Sequence, residues 1–494
     1  MAYHHHQSRQ DECSASGIAQ KEWIDFSPVL RCYEQVWADA GRRLPQNLAE
    51  FASVAKVDVT GLEQMFHLYP ETKETFFSQT LPFIVEAARG LKMQLEDLRF
   101  GTSLPKLARG MCADVKLPRE VVLSLLAHMF LCTTDHLKQE KDMPDVSFSK
   151  LLSKKYPSEV AKLRMVVEYF AAVRVKTPKY LRGELRIYRQ VRDGLRVGDR
   201  KAEWQSSLKP LLPLEVEKNG IGFEDTDRGD RCVHADFANQ FLGGGILRGG
   251  SVQEEIRFAI CPELIAALLV CPRMLDNEAI FIVGAEQFSK YSGYSYGLKY
   301  AGPHAKSNVP RDADGTPLIS ITAMDALDFR GHSNALHVQM QPQYVMRELE
   351  KAAAAFSPAD QRQEEVWPVI ATGNWGCGAF RGFAPLKAVL QWLAASQGGR
   401  RMRYFPFDEP IRNELMHLSA SLTGKAVTVG QLFEAVTALA PMAASNEPGK
   451  LKENFWTELE SKVMAEVATS STPCKPNPPA RRQHHRGCFG ACML

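Results

Sequence analysis

The spacing of apolar residues changes once along this 494-residue chain, near Tyr180, and that change constrains the fold more than any other feature. Before it, from about Trp23 to Ala172, apolar positions recur at helical spacing. Leu62, Met65, Phe66 and Tyr69 follow the i, i+3, i+4, i+7 rule, as do Val122, Leu125, Leu126 and Met129 after Pro118. Ser27 and Pro28 form an N-cap and first-turn pair ahead of Val29, Tyr33 and Val36. These Met and aromatic stripes read as core, because an amphipathic helix must hide that face against a neighbour. After Tyr180, Leu185 and Ile187 alternate with polar residues, and Leu214, Val216, Ile221 and Phe223 suggest a hairpin. Short apolar runs then follow at Ala279 to Gly284, Leu318 to Ile321, Val369 to Thr372 and Tyr404 to Phe407. Helical stretches around Pro262 to Val270, Tyr344 to Ala355 and Pro385 to Ala395 separate them. Strands alternating with helices predict an α/β domain with a mixed sheet covered on both faces, over 180–466, preceded by an all-α region over 21–179. Pro368 and Pro406 belong at strand ends or edges.

Composition narrows the function classes. Hydrophobic residues at 45% and charged residues at 24% fit a globular protein and argue against a disordered or collagen-like one. A net charge of +3, from 60 basic and 57 acidic residues, is too balanced to predict direct DNA binding. Eleven cysteines scattered without extracellular disulfide spacing imply reduced thiols and an intracellular protein. Runs such as Leu264 to Cys271 are too short to span a bilayer, so no membrane association is expected. Residues 1–20, including His4 to His6, read as a flexible N-terminus and carry no functional reading. Residues 467–494 read as a flexible basic tail, with Pro473, Pro476, Pro478 and Pro479 ahead of Arg481, Arg482 and Arg486. As an address signal this tail favours the nucleus over the cytoplasm. His484, His485, Cys488 and Cys492 match no closed zinc spacing, so no metal is expected there.

The chemistry concentrates between Asp236 and Glu255. A strand candidate, Cys232 to Phe237, leads through Asp236 and Asn239 into Gly243-Gly244-Gly245, and Gln253-Glu254-Glu255 opens the apolar run Ile256 to Ile260. Three glycines let the backbone approach a ligand and turn N–H groups toward an anion such as a diphosphate. Alone they would read as a flexible loop, and the Glu pair alone as a solvated helix start. Side by side, carboxylates near a phosphate-accepting loop point to glycosidic chemistry, in which a carboxylic acid protonates the leaving oxygen. On an extended segment adjacent residues face opposite ways, so one carboxylate is expected to act as both acid and base. A second glycine-rich stretch, Gly373 to Phe380, lies between a strand candidate and a helix and offers a second anion site. There Cys377 reads as a small packed residue rather than a nucleophile, and Trp375 as packing rather than stacking.

Taken together these residues resemble the poly(ADP-ribose) glycohydrolase family. Gly243-Gly244-Gly245 and Gln253-Glu254-Glu255 match its signature, and Asp236-Phe237-Ala238-Asn239, Glu286 to Tyr294, Ala323 to Leu327 and Ala371 to Phe380 extend the likeness. The resemblance implies a macrodomain-like α/β/α sandwich behind an α-helical accessory domain. It also implies hydrolysis of the ribose–ribose O-glycosidic bonds of poly(ADP-ribose), releasing ADP-ribose without a cofactor. Glu255 would be the general acid and then the base, and Glu254 would hold a ribose hydroxyl. Burial near Glu254 and the substrate phosphates would favour the acid form of Glu255. Asp236 would position ribose, or equally serve as a structural strand-end carboxylate; Asn239 and Gln253 would be substrate contacts. Gly243, Gly244 and Gly245, with Asn374, Trp375, Gly376, Cys377, Gly378 and Ala379, would line the diphosphate. Phe380 and Phe407 would flank ribose, Tyr294 would cover adenine, and Phe223 and Glu224 would meet its edge. The expected partners are poly(ADP-ribose) and ADP-ribosylated proteins in the DNA damage response, with a monomer favoured. Arg381 departs from the family pattern and is expected to reach a phosphate or the next ADP-ribose unit. The alternative is a macrodomain reader that binds ADP-ribose without turnover, which would need the loops but not Glu255.

Overall fold

The computed structural model describes residues 22–38, 44–176, 181–192, 197–218, 222, 231–304, 309–332, 335–444 and 448–470. The expectations for Ile221, Phe223, Glu224, the opening residues 1–20 and the basic tail beyond 470 lie outside the described residues. Strands β1 (Glu22–Asp25) and β2 (Ser103–Lys106) pair with each other among the N-terminal helices. They are followed by β3 (Ala113–Pro118), β4 (Glu184–Val191), β5 (Leu214–Val216), β6 (Cys232–Ala238) and β7 (Glu278–Val283). A hairpin of β8 (Ser289–Ser292) and β9 (Lys299–Pro303) precedes β10 (Ser320–Asp325), β11 (Val369–Gly373) and β12 (Arg401–Phe405). Eight strands form one sheet in the order β3-β4-β7-β10-β6-β11-β12-β5. Pairing is parallel from β10 across to β5 and antiparallel among β3, β4, β7 and β10, giving the mixed sheet the sequence predicts.

Both faces of this sheet are covered, and the strand sequences show why. All six residues of β7 are buried. Ile280 and Ile282 join one core with Leu185, Ile187 and the N-terminal helices, while Ala279, Phe281 and Val283 join the other, beneath the helices Pro342–Phe356 and Ala384–Gln397. A period of two with no polar face is the mark of a strand packed on both sides.

One expectation needs correction. The N-terminal region is mainly helical but not all-α. In β3, Val115 and Leu117 are buried while Asp114 and Lys116 are exposed, and the strand pairs with β4 as the sheet's edge. Its period-two pattern is short and sits between helices, so the surrounding helical spacing masked it. β5 runs parallel to β12 at the far edge of the sheet, while the second arm of the expected hairpin, at Ile221 and Phe223, lies outside the described residues. Pro368 and Pro406 flank β11 and β12 at their ends, where a missing N–H costs no ladder bond.

The topology places the site. β6 lies between β10 and β11, and the C-terminal ends of β10, β6, β11 and β12 share one rim. Asp325, Ala238, Gly373 and Phe405 end those strands. In an open α/β sheet ligands collect on such a rim.

Candidate active site

The rim is built first from carboxylates. β6 ends in a turn through the triple glycine, and the chain returns to begin the helix Gln253–Ile260. Glu254 and Glu255 therefore occupy the first turn of a helix, about 100° apart around its axis, rather than opposite faces of an extended segment. Both turn toward the glycine loop: a Cβ on Gly244 would stand 2.6 Å from Glu254 Oε2 and 2.6 Å from Glu255 Oε1. The expectation that the two point apart is thus corrected. Glu254 accepts the N–H groups of Asn239 (2.8 Å) and Gly243 (2.6 Å), and Glu255 those of Gly245 (2.8 Å) and Val252 (2.8 Å). The Gly244 N–H goes to the Phe241 carbonyl. The N–H groups expected to cradle a diphosphate are instead occupied within the protein, and this loop holds carboxylates.

These groups are desolvated. Glu254 is 2% exposed, Glu255 6% and Asp236 0%. Burial drives the Glu254 carboxyl well above the usual carboxylate range, and the charges of Asp236 and Glu255 add to that rise, while its two N–H donors act against it. Gln253, expected as a substrate contact, spends its amide on β6: Oε1 accepts the Phe237 N–H at 2.8 Å and Nε2 donates to the Ala235 carbonyl at 3.4 Å. Asn239 Oδ1 accepts the Phe241 N–H, which starts the loop.

Gly250, which sequence reasoning passed over, closes the arrangement. Its absent Cβ would fall 2.3 Å from Glu255 Oε1, and it lies against Gly245. Only a residue without a side chain leaves the carboxylate its place.

The second glycine stretch forms the other wall. Gly376 adopts φ +72 and has Ala326 of the β10 end against it, so that end of the sheet sets the loop's path. Trp375 is fully buried, its indole N–H donating to the Met324 carbonyl and its ring under Lys387 Nζ at 3.6 Å. It anchors the loop and does not line it, which corrects its assignment as a substrate contact. The Cys377 thiol is pushed up by burial and makes a poor thiolate, as a packed residue should. Asn374 Oδ1 accepts the Tyr404 hydroxyl. Among the described residues the N–H groups of Gly376, Gly378, Ala379 and Phe380 donate to no backbone carbonyl. Arg381 is exposed at φ +57, and Arg330 stands over the Phe380 ring at 5.6 Å.

Two aromatic residues named from separate motifs come together. Tyr294 and Phe407 meet edge to face at 5.8 Å and are 43% and 60% exposed. The Ser295 N–H donates to the Ser251 carbonyl, tying the Tyr294 loop to the segment ahead of Glu254 and Glu255. Glu286 and Asp325, from the other matching motifs, are buried in ion pairs with Arg119 and Arg311, and with Lys351 and Arg347, and act as framework.

Comparison with known proteins agrees with this architecture. Residues 68–188 match the family description "Poly (ADP-ribose) glycohydrolase (PARG), helical domain", and residues 201–413 match "Poly (ADP-ribose) glycohydrolase (PARG), Macro domain fold". The chain is 33% identical to poly(ADP-ribose) glycohydrolase 1 of Caenorhabditis elegans over 67% of its own length and 42% of that protein's. It is 34% identical to poly(ADP-ribose) glycohydrolase 2 of the same organism, over 64% of this chain and 63% of that one. With probable poly(ADP-ribose) glycohydrolase 2 of Arabidopsis thaliana the identity is 31%, over 72% and 73% of the two chains. The match thus spans less than two thirds of either nematode relative and nearly three quarters of the plant one. A helical domain sharing its core with a macrodomain whose rim carries two buried adjacent glutamates, together with these matches, shows that the chain belongs to the poly(ADP-ribose) glycohydrolase family.

Proposed function

We propose that this protein hydrolyses the ribose–ribose O-glycosidic bonds of poly(ADP-ribose) and releases ADP-ribose. The observation that carries the reading is the buried pair Glu254 and Glu255, fixed by four backbone N–H groups on the rim. A binding module has no use for two desolvated carboxylates beside an anionic ligand, because each repels the phosphates it must hold.

In this reading the pyrophosphate sits on the N–H groups of Gly376, Gly378, Ala379 and Phe380 and adenine stacks against Tyr294, with Phe407 and Phe380 beside ribose. Glu255, the more exposed of the pair, gives a proton to the leaving ribose oxygen and then takes one from the attacking water. Glu254, whose acid form is favoured by burial and by Asp236, donates to or accepts from a ribose hydroxyl. Asp236 and Asn239 hold the end of β6 under that ribose. Arg381 meets a phosphate of the polymer beyond the bond that is cut, an assignment its exposed position supports. Cysteines without extracellular disulfide spacing support an intracellular setting for this activity, and the basic tail favours the nucleus.

Incubation of purified protein with labelled polymer in the presence of EDTA tests the reading. Monomeric ADP-ribose is the expected product. Intact polymer recovered alongside tightly bound ADP-ribose would identify a reader instead.

A further inference from the structure

Lys162 lies in the helix Pro157–Lys176 of the helical domain, yet its side chain ends against the catalytic loop. It is fully buried. Its Nζ donates to the carbonyl oxygens of Gly245 (3.0 Å), Arg248 (2.6 Å) and Gly250 (2.5 Å). An ammonium has three protons to give, and all three are used. The same short loop presents N–H groups on its other side, where those of Gly245 and Val252 hold the Glu255 carboxylate. The loop is thus a two-sided connector, with its carbonyls on lysine and its amides on glutamate. Burial pulls the Lys162 ammonium down to about 8, and the charges of Glu255 and Glu159 work to keep it protonated. Glu159, one helical turn earlier, stands beside Gly249 of the same loop.

We infer that Lys162 is a positioning residue for the glycosidic reaction, clamping the 245–250 loop from the helical domain so that Glu255 is held in place for proton transfer. The inference rests on the assignment of Glu255 as the acid. Lysine suits the task because its stem reaches across the domain boundary and its head satisfies three carbonyls converging from different directions, which a planar amide or guanidinium would not match. The helical domain then contributes to turnover as well as to folding.

The test compares wild type, Lys162→Met and Glu255→Gln as full chains. Initial rates on poly(ADP-ribose) give kcat and KM, and calorimetric titration with ADP-ribose counts binding-competent sites. For Lys162→Met, kcat per competent site should fall about 100-fold, the scale of a misplacement near 1 Å, with KM and ADP-ribose affinity within about threefold of wild type. Lys162→Gln, which keeps two donors, should fall between. A kcat per competent site equal to wild type overturns the inference, as does a rate loss matched by an equal loss of ADP-ribose sites, since that would be a folding role alone. Should Lys162→Met not fold, the same criteria apply to Lys162→Gln. Wild-type turnover by Glu255→Gln would instead overturn the reading on which the inference stands.

Discussion

At the scale of single residues, the site depends on what is absent as much as on what is present. Gly250 leaves room for a carboxylate, and Gly244 at φ +50 leaves room for two. Gly250→Ala would place a methyl 2.3 Å from Glu255 Oε1, forcing the carboxylate or the loop to move. We expect at least about a hundredfold loss of kcat, with a fall in stability of about 1–3 kcal/mol from the clash with Glu255 and the Gly245 backbone, read from polymer hydrolysis and thermal melting. Tyr294→Ala should weaken ADP-ribose binding by about tenfold or more, the effect of removing one stacking platform, as measured by calorimetry. The carboxylates, the second loop and the two aromatics were legible in the sequence because ordered motifs carry them. Gly250 and Lys162 were not. A lysine on a helix normally marks a solvated face, and nothing local signals that this one crosses to another domain. Nor does the sequence reveal that the first glycine loop spends its N–H groups on glutamates rather than on phosphate.

At the scale of elements, periodicity located β4, β6, β7 and β11, since every second residue of a strand such as β7 enters a different core, but it caught only part of β10 and β12 and missed the β8–β9 hairpin. It also missed the short strands β1, β2 and β3 within the mainly helical region. The helix Arg119–Phe130, which follows β3, carries a buried histidine whose role can be measured. His128 is fully buried, with its ring nitrogens hydrogen-bonded to Thr133 Oγ1 and the Ala88 carbonyl. Burial lowers it from an ordinary 6.5 to about 4. The unfolded chain therefore takes up a proton near pH 6.5 while the folded chain resists until about pH 4. The stability this group contributes is complete above the first value and is lost as pH falls toward the second, by about 3 kcal/mol. Urea unfolding at pH 7, 5.5 and 4 should show this slope in wild type and a reduced one in His128→Gln.

At the scale of the whole molecule, the two family regions are not independent bodies. β3 completes the macrodomain's sheet, and one continuous core runs from Phe26 through the helical domain to Ile280, Ile282 and Ile321. Arg119 is buried in ion pairs with Glu263 and Glu286 across that boundary. Thermal unfolding should therefore be a single transition. Arg119→Met should lower stability by about 3–5 kcal/mol by leaving the buried Glu263 without its cation, while Glu286 keeps Arg311, visible in calorimetry as a large fall in melting temperature. Two separate transitions in wild type would contradict the shared core. The central claim concerns one proton on this rim, and the most direct test is the hydrolysis rate of Glu255→Gln beside its affinity for ADP-ribose. The account predicts a rate lower by about 10²–10⁴ with affinity preserved. A variant that binds and cleaves like wild type would contradict it.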